Sequence, residues 1–196
     1  MSILNVLQFG EAKYSLETGE FGYYIKESNF DNIYYLLIWN NKKDNQNYLI
    51  QFSYKKIIIN NLEKGKDEIY AKLIHEPENE HYGGYLFSKE DSEFLCTTCY
   101  NGFIHVWNLY TKKLSNIIDT KIIMCHIIPW NEKYAIAADF ENKSFVIIDL
   151  DEKKIFKGQQ IEHKMEVKCV KKIRHSEFGE CLITAGRDHE IKLWAL

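Results

Sequence analysis

The hydrophobic positions of this chain fall into short runs with the two-residue period of a strand, and the clearest pair lies near residue 190. Residues 181–185 form one run, Gly186-Arg187-Asp188-His189 is a polar turn, and Ile191-Lys192-Leu193-Trp194 resumes the alternation. This pattern predicts a β-hairpin, because alternation places one set of side chains on a buried face and a polar cluster ends the run. A matching unit occupies residues 94–99, the turn Tyr100-Asn101-Gly102 and residues 103–109. Its Asn-Gly pair predicts a tight turn with positive φ at both central residues. Residues 33–38 and 48–52 flank a loop rich in Asn, Lys and Asp, and residues 134–138 and 145–150 flank Glu141-Asn142-Lys143, which makes two more hairpins. Further strands are predicted at 57–62, 70–74, 122–128, 152–158 and 167–173.

Aligned on one another, these hairpins repeat. One recurring position holds Tyr14, Asn60, Trp107, Ile148 and Trp194, at intervals of 46, 47, 41 and 46 residues. A period of this length is the mark of a stacked repeat architecture. In the last repeat Trp194 follows Asp188 by six residues, Thr184 precedes that Asp by four, and His163 stands 21 residues before Thr184. In the third repeat Trp107 follows Asn101 by six, Thr97 precedes Asn101 by four, and His75 stands 22 residues before Thr97.

At these residues, and at Lys13-Tyr14-Ser15-Leu16-Glu17-Thr18-Gly19-Glu20, the chain resembles the WD-repeat β-propeller family. The resemblance implies an all-β fold, a WD-repeat β-propeller segment of about four to five four-stranded antiparallel blades, with residues 1–196 as a single domain. It also implies that His163, Thr184, Asp188 and Trp194 form one hydrogen-bonded network within a blade, and that His75, Thr97, Asn101 and Trp107 form its counterpart. The signature decays elsewhere: Asn60 and Ile148 replace the Trp, and Ala138 replaces the hydroxyl residue. The first repeat lacks its innermost strand and the last its outermost, so the expectation is an incomplete or open ring of roughly 18 strands.

Composition narrows the function. A net charge of -3, a pI near 6.2 and only two arginines argue against a general nucleic-acid binder, which needs a basic surface to neutralise phosphates. The longest apolar run, 33–39, is too short to span a membrane as a helix. No basic segment precedes the apolar residues of the N-terminus, so no secretory signal is read there. Five cysteines at irregular spacings fit a reducing compartment. The expectation is a cytoplasmic or nuclear protein that is not secreted, with no cofactor.

Three groups of residues could carry chemistry. His163, Thr184 and Asp188 combine a base, a hydroxyl and an acid, as a hydrolase would, but the family resemblance gives them a structural role beside Trp194. Cys96 and Cys99, with Cys125, His126 and Cys169, could ligate zinc; residues three apart on a strand face opposite sides, which favours small buried side chains and no metal site. Arg187, Tyr100 and Glu141 each sit in a hairpin turn, where the resemblance implies a face that contacts partners. Lys pairs at 55–56, 112–113, 153–154 and 171–172 read as solvated rims and edge protection.

The functional expectation is therefore a non-catalytic protein–protein interaction scaffold that presents propeller loops to partner proteins or peptides in a multiprotein complex. Neither nucleic acid nor membrane is an expected partner, and a second chain could complete the ring. The alternative is a Cys/His metal-binding or hydrolytic propeller enzyme. Trp130, next to Pro129, is expected in a turn, so its truncation is expected to cost less than that of Trp194.

Overall fold

The computed structural model describes residues 33–53, 56–64, 69–74, 81–157 and 163–195. The repeat expected around Tyr14 lies outside these residues, as does His75.

The alternating runs become fifteen strands in four sheets, with no helix among the described residues. The first sheet holds β1 (Ile33–Asn41), β2 (Gln46–Ser53), β3 (Lys56–Asn61) and β4 (Ile69–Ile74). The second holds β5 (His81–Lys89), β6 (Ser92–Cys99), β7 (Phe103–Asn108) and β8 (Lys113–Asp119). The third holds β9 (Met124–Pro129), β10 (Tyr134–Asp139), β11 (Ser144–Asp149) and β12 (Lys154–Lys157). The last holds β13 (Val167–His175), β14 (Gly179–Gly186) and β15 (Ile191–Ala195). Strands pair antiparallel with their sequence neighbours, so each sheet is a meander built from local hairpins.

The first strands of the sheets, β1, β5, β9 and β13, pack against one another in that order. The sheets are therefore blades set side by side around a common centre. Among the described residues no comparable packing returns β13 to β1, and the arc is open.

Three apolar cores fill the spaces between consecutive blades. Ile57 and Ile59 of β3, with Phe52, face Leu95 and Trp107 of the second blade. Ile104 and Val106 of β7 face Ala137 and Ile148 of the third. Phe145 of β11 and Ile128 face Val170, Leu182 and the half-buried Trp194 of the last. Period-two alternation explains this: each strand gives its odd positions to one neighbouring blade and its even positions to the other. Burying each such side chain stabilises by about 1.5–3 kcal/mol relative to exposure.

The structure revises several local expectations. Counting back ten residues from Ile148, as from Trp194 to Thr184, places Ala138 in the hydroxyl position. Ile148 pairs with Ala135, as Trp194 pairs with Leu182, so the position matching Thr184 is Ala137. The segment between equivalent pairs holds one residue more in the third blade, and Ala138 faces the last blade instead. The Asn101-Gly102 turn is not a two-residue turn with two positive φ values. The last strand pair is Thr98 with Ile104, Gly102 alone takes positive φ (83°), and Asn101 Oδ1 accepts the Phe103 N–H at 3.3 Å. An added Cβ at Gly102 would also stand 3.0 Å from Ile122 N. Lys171 and Lys172 lie within β13 rather than on a hairpin rim, and Lys172 Nζ sits 4.5 Å above the Trp130 ring. Trp130 does lie in the turn after β9, where its backbone N–H donates to Tyr134 O at 2.9 Å, and its ring is half-buried against the third core.

Candidate functional site

The last blade brings His163, Thr184, Asp188 and Trp194 together. His163 lies in the loop before β13, Thr184 in β14, Asp188 in the β14–β15 turn and Trp194 in β15. Trp194 Nε1 donates to Thr184 Oγ1 at 2.9 Å, and Thr184 Oγ1 lies 2.9 Å from His163 Nε2. His163 Nδ1 lies 2.9 Å from Asp188 Oδ2. One proton arrangement satisfies every group: indole N–H to hydroxyl oxygen, hydroxyl proton to Nε2, and Nδ1–H to carboxylate. The Lys164 and Glu190 backbone N–H groups complete Asp188, at 2.9 and 3.2 Å.

Burial works against the Asp188 charge, but the Lys164 N–H, the His163 ring and the Glu190 N–H outweigh it and hold the carboxyl down to about 2. Gly186 is required beside this cluster, since an added Cβ would stand 2.7 Å from Asp188 Oδ1 and 2.8 Å from His163 Nδ1. Both imidazole nitrogens and the hydroxyl are spent within the network. What the arrangement does is fix a turn and a loop to one sheet. His163, Asp188 and Glu190 do place ligand atoms within 4.8 Å of one another, but Glu190 is engaged by Lys192 at 2.9 Å and His163 by its two partners.

The second blade is arranged differently. Thr97 Oγ1 donates to His105 O at a long 3.5 Å, and Trp107 Nε1 has no acceptor among the described residues. No hydrogen bond among the described residues links Thr97, Asn101 and Trp107. His105 Nδ1 lies 3.0 Å from Cys99 Sγ.

The cysteines are dispersed. Cys96 is packed in the core between the second and third blades, and burial pushes its thiol up to about 12. Burial also raises Cys99, and it raises Cys125 to about 11, where the thiol donates to Val167 O at 3.0 Å. His126 Nδ1 accepts the Val170 N–H at 3.5 Å. Among the described residues these thiols do not join three ligand atoms around one point.

Arg187, Glu141 and Tyr100 are all exposed in turns between second and third strands of their blades, hence on one face of the arc. Arg187 N donates to Glu166 O at 2.9 Å, and its guanidinium lies 3.4 Å from Glu166 Oε2. Glu166 and Glu141 line one groove of about 560 Å³ with Phe140, Lys143, Lys164 and the exposed Met165. Tyr100 stands apart from it, edge-on to Tyr82 with centroids 5.9 Å apart.

One polar centre has no counterpart in the sequence reading. Glu93, buried between the first two blades, accepts from Trp39 Nε1 at 2.9 Å, Tyr110 O–H at 2.9 Å and the Lys42 backbone N–H at 3.4 Å. Its only local signal is an acid at the start of an apolar run, which nothing distinguishes from a solvated strand end.

No family model matches the chain, and no curated protein matches it. Solved structures do. The chain is similar to U3-55K, a WD40 propeller protein, with a TM-score of 0.69 and 16% identity over 94% of this chain and 54% of that one. It is also similar to the computationally designed Ika4 protein, with a TM-score of 0.58 and 11% identity over 87% of this chain and 94% of that one. The chain thus spans about half the length of U3-55K. With four blades ordered around one centre, the fold is an open β-propeller arc.

Proposed function

We propose that this protein is a WD-repeat propeller that acts as a non-catalytic scaffold, holding partner proteins or peptides in a multiprotein complex through the face that bears these turns. The observation that carries this reading is the saturated His163–Asp188–Thr184–Trp194 network. The side chains with the chemistry of a hydrolase are consumed in holding one turn, while Arg187, Tyr100 and Glu141 beside such turns remain exposed. Rigid blades present those side chains at little entropic cost, which suits recognition by shape and a few anchors. The free thiols support a cytoplasmic or nuclear setting, and the net charge of -3 supports proteins rather than nucleic acid as partners.

The test is affinity capture followed by cross-linking and mass spectrometry, comparing the wild type with an Arg187→Ala, Tyr100→Ala double variant. Loss of specific partners from the folded variant supports the reading, and unchanged capture rejects it. The convergence of His163, Asp188 and Glu190 sustains one competitor, a metal-binding or hydrolytic enzyme. Stoichiometric metal in the purified protein, lost in Glu190→Gln with the fold intact, would establish that competitor instead.

A further inference from the structure

We infer that a groove between the second and third blades, on the face opposite the turns of Arg187, Tyr100 and Glu141, binds a short peptide segment in which an apolar side chain is flanked by basic residues. The order of the hairpins puts it there. The β5–β6, β9–β10 and β11–β12 turns leave their blades at the end remote from the β6–β7, β10–β11 and β14–β15 turns. The groove between the first three of these turns has a volume of about 620 Å³, within the range of sites that hold a ligand.

Its floor is apolar and fixed. Tyr85 and Phe87 of β5, Pro129 of β9 and Leu150 line it. Tyr85 is buried, and Phe87 and Leu150 are half-buried against the core between these two blades. Phe87 stacks on Phe94 with ring centroids 5.2 Å apart and lies 5.8 Å from the Tyr85 ring. An aromatic ring held by its neighbours offers contact area at little cost in side-chain ordering, which suits it to receive an apolar anchor.

The rim decides what flanks that anchor. Its lysines are already engaged: Lys89 Nζ reaches from the second blade to Asp151 Oδ1 of the third at 3.3 Å, and Lys133 Nζ lies 3.0 Å from Asp149 Oδ2 and 3.9 Å from Glu152 Oε1. Lys42 and Lys43, beyond the β5–β6 turn, are held by Glu93 and Ser88 and by the Tyr110 ring. Glu90 and Glu132 are left over. Both are exposed, they stand on opposite walls of the groove, and neither forms an ion pair among the described residues. The complement of an apolar floor between two unpaired carboxylates is an apolar residue between two basic ones. The Lys89–Asp151 pair favours the same occupant. Its side chains are 61% and 58% exposed, so it contributes little, and a peptide arginine can displace Lys89 with a bidentate contact to Asp151.

Fluorescence anisotropy with three fluorescein-labelled probes tests the inference on the full chain: a peptide with a central Leu-Phe pair between arginines, the same peptide with glutamates for the arginines, and one with Ser-Ser for Leu-Phe. The first should bind saturably, and the other two about tenfold more weakly or worse. Glu90→Lys with Glu132→Lys should weaken the basic probe by at least about tenfold and strengthen the acidic one. Glu90 has a φ of 53°, and Lys112 and Lys143 take 59° and 56° in other turns, so the substitution leaves the turn intact. Glu177→Lys, the same charge change on a turn of the last blade, should leave both affinities unchanged. Should the double variant fail to fold, the ranking of the three probes on the wild type still decides. No saturable binding of the basic probe, equal affinity for all three, or an unaltered preference in the folded double variant would overturn the proposal. So would self-association of the free protein that this variant abolishes, because it would give the groove to a second copy.

Discussion

Trp39 Nε1 donates to Glu93 Oε2 at 2.9 Å, and this bond joins the first strand of one blade to the second strand of the next. Tyr110 and the Lys42 backbone close on the same carboxylate, so Glu93 is a buried acceptor shared by three donors. Glu93→Ala leaves them without their partner inside a low-dielectric gap and should cost about 2–4 kcal/mol. Glu90→Ala, in the adjoining exposed turn, should stay within about 0.5 kcal/mol. Urea denaturation of both variants makes the comparison, and equal losses would refute the role given to Glu93.

Thr184→Val removes the hydroxyl that receives the Trp194 N–H and meets His163 Nε2. It should cost about 2 kcal/mol, because two buried polar groups lose their partner. Among the described residues Thr97→Val removes only a long bond to His105 O, and it should cost about 0.5 kcal/mol. Chemical denaturation that ranks these two variants the other way round would show that the last-blade network contributes little.

Burial and the Lys171 charge, partly offset by the Val170 N–H, hold His126 down to about 4, against 6.5 for a free imidazole. The unfolded chain therefore takes up a proton at this site before the folded one does. The contribution of neutral His126 is complete above about pH 6.5 and is lost as the pH falls towards 4. Thermal melts between pH 8 and 5 should show this slope, and His126→Gln should flatten it. An unchanged slope in that variant would assign the acid sensitivity to other groups.

Asp188 acts at lower pH. Its folded value of about 2 lies below the ordinary 3.8, so its contribution is present above about pH 4 and fades as the pH falls through 2. Asp188→Asn should lower stability at pH 7 and reduce the acid dependence between pH 4 and 2. Acid titration followed by circular dichroism checks both effects.

Arg187→Ala and Tyr100→Ala should shift unfolding by no more than about 0.5 kcal/mol each, since both side chains project from turns into solvent. Partner capture should nevertheless fall. A large loss of stability in either variant would mean that the residue serves the fold rather than an interface.

The hairpins were legible in the sequence because their causes are local. Alternation in residues 191–194 and polar turns such as Gly186–His189 specify a strand pair without reference to the rest of the chain, and a recurring 41–47-residue interval orders those pairs into blades. The spacing of Asp188, Thr184 and Trp194 was readable for the same reason, as all three lie on one hairpin. What the chain could not declare is what crosses between blades. Glu93 meets Trp39 across 54 positions and His126 meets Val170 across 44, distances at which no short-range pattern survives. The third-blade hairpin slipped by one residue because its turn length is decided by which strand pairs form, not by counting from Ile148. Thr97 and Trp107 carry the right spacing, yet no hydrogen bond joins them: spacing puts side chains on one face, and only the packing around that face fixes which polar groups come within bonding distance. The exposure of Ile191 and Leu193 belongs to the same class, since their alternation is identical to that of Ile57 and Ile59 and only the presence or absence of a neighbouring blade separates a core from an open face.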